Sequence, residues 1–317
     1  MQTSKVINNL FLMKLKSSYG QQKIIICAFI LIPLLLLFVF TYLPFCEMIG
    51  FSFFNMKYVG ERIFIGLKNY RDIFTRSDIF GSLKLSLYYM AGAVVQLVLA
   101  LLLATILSFK LRFANVFKGI LFFPYLINGI AIGFIFKFFF TRGYVFDTVL
   151  GWFGIPLEKL PYWLKTQGLN NVMLVGTSVW RYLGNNMVLF IGAIMSIDPE
   201  MYEAAELDGP NKRQQFRNII LPGIKTIFTL NIILSISGSL SAFEPPYVIA
   251  SRGANGTATY FIIMDKIAHT SQKVGLASAM AVFLLAIIFL VTILQNLFFR
   301  YMFRKAGTEN SGKGDVL

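Results

Sequence analysis

The chain has 317 residues, of which 56% are hydrophobic and 14% charged, with 33 Phe and a net charge of +14. So little charge cannot cover the surface of a soluble domain, and the balance is that of an integral membrane protein. One histidine and two cysteines disfavour a structural metal site, and the basic residues are spread over short connecting segments rather than gathered into a nucleic-acid patch.

A helix needs roughly 20 apolar residues to cross a bilayer, and six runs meet that length: 24–45, 82–108, 115–140, 171–196, 223–243 and 274–299. The sequence therefore predicts an all-α protein of six spans. A basic segment, 1–23, comes first; Val6, Leu10 and Met13 among its lysines suit either an interfacial helix or disorder. The run 24–45 is too long for a signal-peptide core and no small-x-small site follows, so it reads as a retained span. Cys27 and Cys46, at its two ends, would lie about 28 Å apart at ~1.5 Å per residue and should not pair.

Span three carries Gly129, Gly133 and Lys137 on one face. The small pair suits close helix packing, while Lys137 either snorkels to the outer interface or serves the pathway. The loop 141–170 is too long to be structureless, and Trp152, Phe153, Tyr162 and Trp163 suggest a segment lying in the interface.

Span four places Thr177, Arg181 and Asn185 one turn apart, with Gly184 and Asn186 alongside. An unpaired Arg in hydrocarbon costs at least ~2.5 kcal/mol on insertion scales. Arg181 therefore needs a cavity, carbonyl groups or a carboxylate, and Glu244, before Pro245 at the end of span five, is an available one. It either staples two helices or meets substrate. Asn185 and Asn186 suit sugar hydroxyls, because an amide both donates and accepts. On span five Asn231, Ser235 and Ser239 repeat the spacing, for packing or for lining a pathway.

Between spans four and five runs a densely charged segment that cannot lie in hydrocarbon. Asp198 can cap a helix with Pro199 at its first position, running to about Leu207 and ended by Gly209-Pro210. Asn211 then caps a second short helix bearing Lys212, Arg213 and Arg217 up to Pro222. The turn 109–118 holds Lys110, Arg112 and Lys118 and no acid. By the positive-inside rule both termini and the 197–222 loop face the cytoplasm.

Glu203-Ala204-Ala205, Asp208-Gly209, Phe216, Ile220 and Leu221-Pro222 resemble, in order and spacing, the "EAA" loop of permease subunits of binding-protein-dependent ABC importers. Gly66-Leu67-Lys-Asn69-Tyr70, Pro124 opening span three, Tyr162-Trp163-Leu164 and Gly275 with Ser278-Ala279 look like the sugar branch, of maltose and glycerol-phosphate type. The resemblance covers about residues 24–300. Two positions depart from it: Pro210 stands where the family usually has Ala, and Ser251-Arg-Gly253-Ala-Asn255 replaces Thr-x-Gly-Gly-Pro.

The resemblance implies a type I importer bundle over 24–300, with a basic cytoplasmic segment 1–23 and a cytoplasmic tail 301–317. It implies a coupling helix at 199–207, in which Glu203, Ala204, Ala205, Asp208 and Gly209 engage a cytoplasmic ATPase. The expected partners are a second, different permease, two ATPase subunits, an extracytoplasmic solute-binding protein and membrane lipid, in a bacterial or archaeal plasma membrane. The chain lacks a phosphate-binding Gly-x-x-x-x-Gly-Lys-Ser/Thr loop, so ATP and Mg belong to the ATPase subunits and no catalytic residue or metal ligand is expected here. Arg181, Asn185, Asn186, Asn231, Ser235 and Glu244 are the candidate pathway residues, for a sugar or oligosaccharide whose charge stays open. A self-sufficient secondary transporter or channel is the alternative; the spans hold few acidic residues with which to couple protons or sodium. A membrane enzyme is disfavoured by the lack of paired carboxylates or a nucleophile–base pair.

Overall fold

A computed structural model describes residues 18–108, 112–202 and 212–311. Helix α1 (Ser18–Leu37) passes through a π turn (Phe38–Tyr42) into α2 (Leu43–Phe51). The π turn ends two residues before Pro44. Widening the helix there relieves the clash of the proline ring with the carbonyl one turn back and absorbs its missing N–H. A second π turn, Phe216–Ile220, stands in the same relation to Pro222, between α9 (Lys212–Gln215) and α10 (Leu221–Gly223).

A two-residue antiparallel pair, Phe54–Asn55 with Ile63–Phe64, follows α2 and is a small departure from the purely helical expectation. Asn69, at the start of α3 (Lys68–Thr75), holds this loop. Its buried amide donates to Ser52 O (2.9 Å) and Phe54 O (3.0 Å), while Tyr70 Oη lies 2.8 Å from Ser52 Oγ. Gly66 enters α3 at φ +56°, open to glycine without strain. The Gly-Leu-x-Asn-Tyr element is thus a staple that fixes the chain between the first two spans.

The central helix is α4 (Ser77–Ser108), which packs on α8 (Leu169–Met195), α11 (Lys225–Leu240) and α13 (Tyr260–Asp265). Small residues let these helices approach: a Cβ on Gly92 would strike Val175, and one on Gly184 would strike the Leu121 carbonyl. The last helix, α14 (Val274–Ser311), packs on α2, α3 and α11 and runs past residue 299, where the sequence predicted its span to end. Around its start lies one apolar core of Ile73, Ile79, Tyr260, Leu276 and Met280. There Tyr260 Oη donates to Met280 O (3.1 Å), and burial pushes its pKa up, so it remains a donor. Another core joins α4 and α8 to the segment that leads into α11 through Leu97, Ala100, Met187, Phe190, Ile220 and Ile224, with Ile227 and Phe228 of α11 packed against it.

Span three is not the continuous helix expected over 115–140. It is α5 (Ala114–Leu126) and α6 (Gly129–Phe140), bent by 97°. Ile127 is extended, and the Asn128 side chain accepts from Ile130 N at 2.9 Å, so a new helix starts where the old one would have continued. Pro124, expected to open the span, lies inside the last turn of α5.

Among the described residues, four helices are long and apolar enough to cross a membrane, and the bent pair is a fifth candidate. At 27 residues α8 is long enough but is not among them, because asparagines and Arg181 interrupt its apolar surface. The protein is a multi-pass membrane protein. Cys27 and Cys46 are free.

The loop between α6 and α8 is built, as its length required. It contains α7 (Val145–Trp152), and Asp147 accepts from Trp163 Nε1 (2.5 Å) and Gly143 N (2.6 Å), while Arg142 donates to Leu160 O (2.6 Å). Trp152 and Phe153 stay exposed, but Trp163 turns inward against Phe146. The atypical 251–255 stretch is ordered as well. Ser251, Arg252, Gly253 and Asn255 all have positive φ, and the Asn255 carbonyl accepts from Asn170 Nδ2 at 2.8 Å.

Candidate functional site

A cavity of about 450 Å³ opens between α4, the α5–α6 bend, α8, α11 and α12 (Glu244–Val248). All six pathway candidates line it: Arg181, Asn185 and Asn186 from α8, Asn231 and Ser235 from α11, and Glu244 from α12. The i, i+4 spacing read from the sequence puts each group on one helical face, and packing on α4 turns both faces inward.

Arg181 Nη1 forms an ion pair with Glu244 Oε2, so the carboxylate available in the sequence is the one used. The guanidinium carbon also lies 5.1 Å from the Tyr182 ring centroid. Gly129 is the third party: a Cβ there would collide with Glu244 Oε2 and Arg181 Nη1. Its missing side chain lets the start of α6 rest against the pair, with the positive end of that helix beside the carboxylate. One carboxylate thus joins α6, α8 and α12. The remainder of the Gly129/Gly133 face packs as expected, Gly133 against Val248. Lys137 lies outside the lining and donates to Ser251 Oγ at 3.2 Å from an exposed position.

Further along, Asn186 Nδ2 reaches Ser235 Oγ (3.4 Å), and Ser239 Oγ donates to Ser235 O (2.7 Å) and Tyr89 O (3.2 Å). Ser239 is therefore a packing residue that also edges the cavity. Asn231 is 1% exposed, and neither atom of its amide has a hydrogen-bond partner. The Tyr89 hydroxyl, also buried, has none either.

Sequence reading missed Tyr89 and Gln96 on α4 and Tyr125 of α5, which also line the cavity. A signal was present. Ser82, Ser86, Tyr89, Ala93 and Gln96 recur at helical spacing in an otherwise apolar span and mark its buried face.

Beyond Asn186 and Asn231 the cavity gives way to the apolar core of Leu97, Met187, Phe190 and Ile224. This core also anchors the charged segment. Tyr202 and Phe216 pack against it, and Ile219 and Ile220 are part of it. Desolvation raises the Tyr202 hydroxyl pKa, in keeping with a ring seated in the bundle. Asp198 Oδ1 accepts from Glu200 N at 3.0 Å, which is the expected cap, and residues 199–202 are helical. Glu203, Ala204, Ala205, Asp208, Gly209 and the Asn211 cap lie outside the described residues, as does most of the segment 1–23.

Fold and site together define a helical, multi-pass membrane protein with an internal polar cavity coupled by packing to a charged connecting segment. Residues 96–304 match the family of binding-protein-dependent transport system inner membrane components, and the chain belongs to that family. It is 30% identical, over 84% of its length and 91% of the relative's, to the probable starch degradation products transport system permease protein AmyD of Thermoanaerobacterium thermosulfurigenes. It is 31% identical to the probable ABC transporter permease protein YurN of Bacillus subtilis, over 89% of its length and 98% of that protein's. A chain from the crystal structure of a bacterial alginate ABC transporter in complex with an alginate pentasaccharide-bound periplasmic protein superposes with a TM-score of 0.76. The match has 18% identity and covers 89% of this chain and 96% of that one; the likeness is one of fold.

Proposed function

We propose that the chain is the permease subunit of an ATP-driven importer of oligosaccharides, and that the cavity is part of its translocation pathway. The observation that carries this is the lining. Hydroxyls and carboxamides alternate with the rings of Tyr125, Tyr182 and Phe243, in a member of a transport family. Aromatic faces take the apolar faces of sugar rings and amides take the hydroxyls. AmyD takes its name from the transport of starch degradation products, which supports the same substrate class.

In this reading both termini and the 197–222 segment face the cytoplasm. The helix from Pro199 seats on an ATPase subunit through Ala204 and Ala205, Glu203 pairs with a base on that subunit, and Gly209 permits the turn. A push on this segment reaches the cavity through Tyr202, Phe216 and Ile220, which share a core with Met187 and Phe190, one turn from Asn186. A second permease completes the pathway, two ATPase subunits use ATP and Mg, and a solute-binding protein delivers the sugar outside. Chemistry at the nucleotide is left to the ATPases.

The test is co-purification from membranes expressing all subunits. The chain should bring down both the second permease and the ATPase. Glu203→Lys or Gly209→Val should lose the ATPase and retain the permease. An ATPase that stays bound in both variants would overturn the coupling assignment. Saccharide uptake by this polypeptide alone, in liposomes without ATP, would favour a secondary carrier instead.

A further inference from the structure

The charge balance of the cavity permits a narrower statement about its ligand, resting on the carbohydrate reading above. Among the described residues that line it, Arg181 and Glu244 are the only charged side chains, and they are paired with each other. Arg181 Nη1 is engaged by Glu244 and the guanidinium carbon lies by the Tyr182 ring, so the cation's charge is balanced within the lining, although its buried Nε has no partner. Lys137, the other cation within the apolar runs nearby, does not reach the lining.

Apart from the Arg181 Nε–H, whose charge Glu244 balances, what remains to meet a ligand is neutral. The Asn231 amide and the Tyr89 hydroxyl are both buried, both unpartnered and both in the lining. A sugar hydroxyl donates and accepts, so it can satisfy both atoms of an amide. A carboxylate only accepts, so it can take the Asn231 Nδ2 protons but leaves Oδ1 unmet, and near Glu244 it would meet a like charge. Leaving a buried polar atom unmet, or adding a second negative charge beside a carboxylate, costs affinity.

We propose that the cavity is a site for uncharged oligosaccharides that rejects uronates, and that the Arg181–Glu244 pair sets this preference by cancelling the arginine's charge. The prediction is specific to the pair. Without Glu244 the same cavity presents a free guanidinium, the group best suited to a carboxylate. With both residues neutral, the preference returns to uncharged sugars.

Equilibrium binding to the detergent-purified complex, without the binding protein, tests this directly. The probes are maltotriose, a galacturonate trisaccharide and the methyl ester of that trisaccharide, which keeps the same rings and hydroxyls and replaces each carboxylate by an uncharged ester. The wild-type complex should bind the ester at least about tenfold more tightly than the acid. Glu244→Gln should close or invert that gap, and the double variant Arg181→Gln, Glu244→Gln should reopen it; the double variant also controls for damage from losing the ion pair. Should Glu244→Gln not assemble, Arg181→Gln alone, which leaves the Glu244 carboxylate uncompensated, should widen the gap, and an unchanged gap there overturns the role of the pair. Equal or tighter binding of the acid by the wild type, or a gap untouched by Glu244→Gln, overturns the proposal while leaving a saccharide site in place. Failure of all three sugars to bind any form would instead sink the carbohydrate reading itself.

Discussion

At the scale of single residues, positions defined by contact give the sharpest expectations. Asn69→Ala removes two bonds to the loop after α2 and leaves buried carbonyls unmet. It should cost about 1–3 kcal/mol and lower the thermal unfolding midpoint of the purified chain. Gly184→Ala drives a methyl into the Leu121 carbonyl, a backbone atom that cannot swing aside, and overpacking of that kind costs about 1–3 kcal/mol. Gly176, on the same helix, has open space around it, so Gly176→Ala should leave the midpoint unchanged or slightly raised. Equal effects at the two glycines would show that α5 and α8 do not meet as described. Arg181 was legible in sequence because a charge in an apolar run demands an explanation, and Glu244 was the acid within reach. Tyr89 and Gln96 were overlooked because one polar atom on a long side chain barely disturbs hydropathy. Only their spacing with Ser82 and Ser86 betrays them. The physical sense of Asn69 was also out of reach, since its partners are backbone carbonyls 15 and 17 residues away.

At the scale of elements, hydropathy located the apolar runs but could not see the bend in span three. Apolar residues flank the break on both sides, so a window average is blind to direction. Pro124 and the Asn128-Gly129 pair were the readable signs: a proline near the helix end and a capping residue before a glycine. Asn128→Ala should cost about 1 kcal/mol, the ordinary worth of a cap. It should also shift the start of α6, which rests on the Arg181–Glu244 pair, so a fall in saccharide binding is expected with the loss of stability. The loop between α6 and α8 rests on Asp147. Asp147→Ala leaves Trp163 Nε1 and Gly143 N without their acceptor and should speed proteolytic cleavage between 142 and 165, with the helical bundle intact. A cleavage rate equal to that of the wild type would mean the loop is held by its aromatic packing alone.

At the scale of the molecule, the order of the EAA-type residues made the family readable before any coordinate, and the matched region spans most of the bundle. What the order could not convey is how a surface segment reaches a buried cavity. That depends on one apolar core which holds Tyr202 and Ile220 at one end and borders Asn186 and Asn231 at the other. The span Ile25–Phe51 buries none of its most apolar window within the chain, so lipid or another subunit must cover it. The measurement that bears most directly on the account is ATP-driven uptake of labelled oligosaccharide by proteoliposomes holding the complete complex. Transport should require ATP on the face bearing the 197–222 segment and should vanish with Glu203→Lys although both permeases remain in the membrane. Undiminished uptake in that variant, or uptake by the wild type with no nucleotide present, would contradict it.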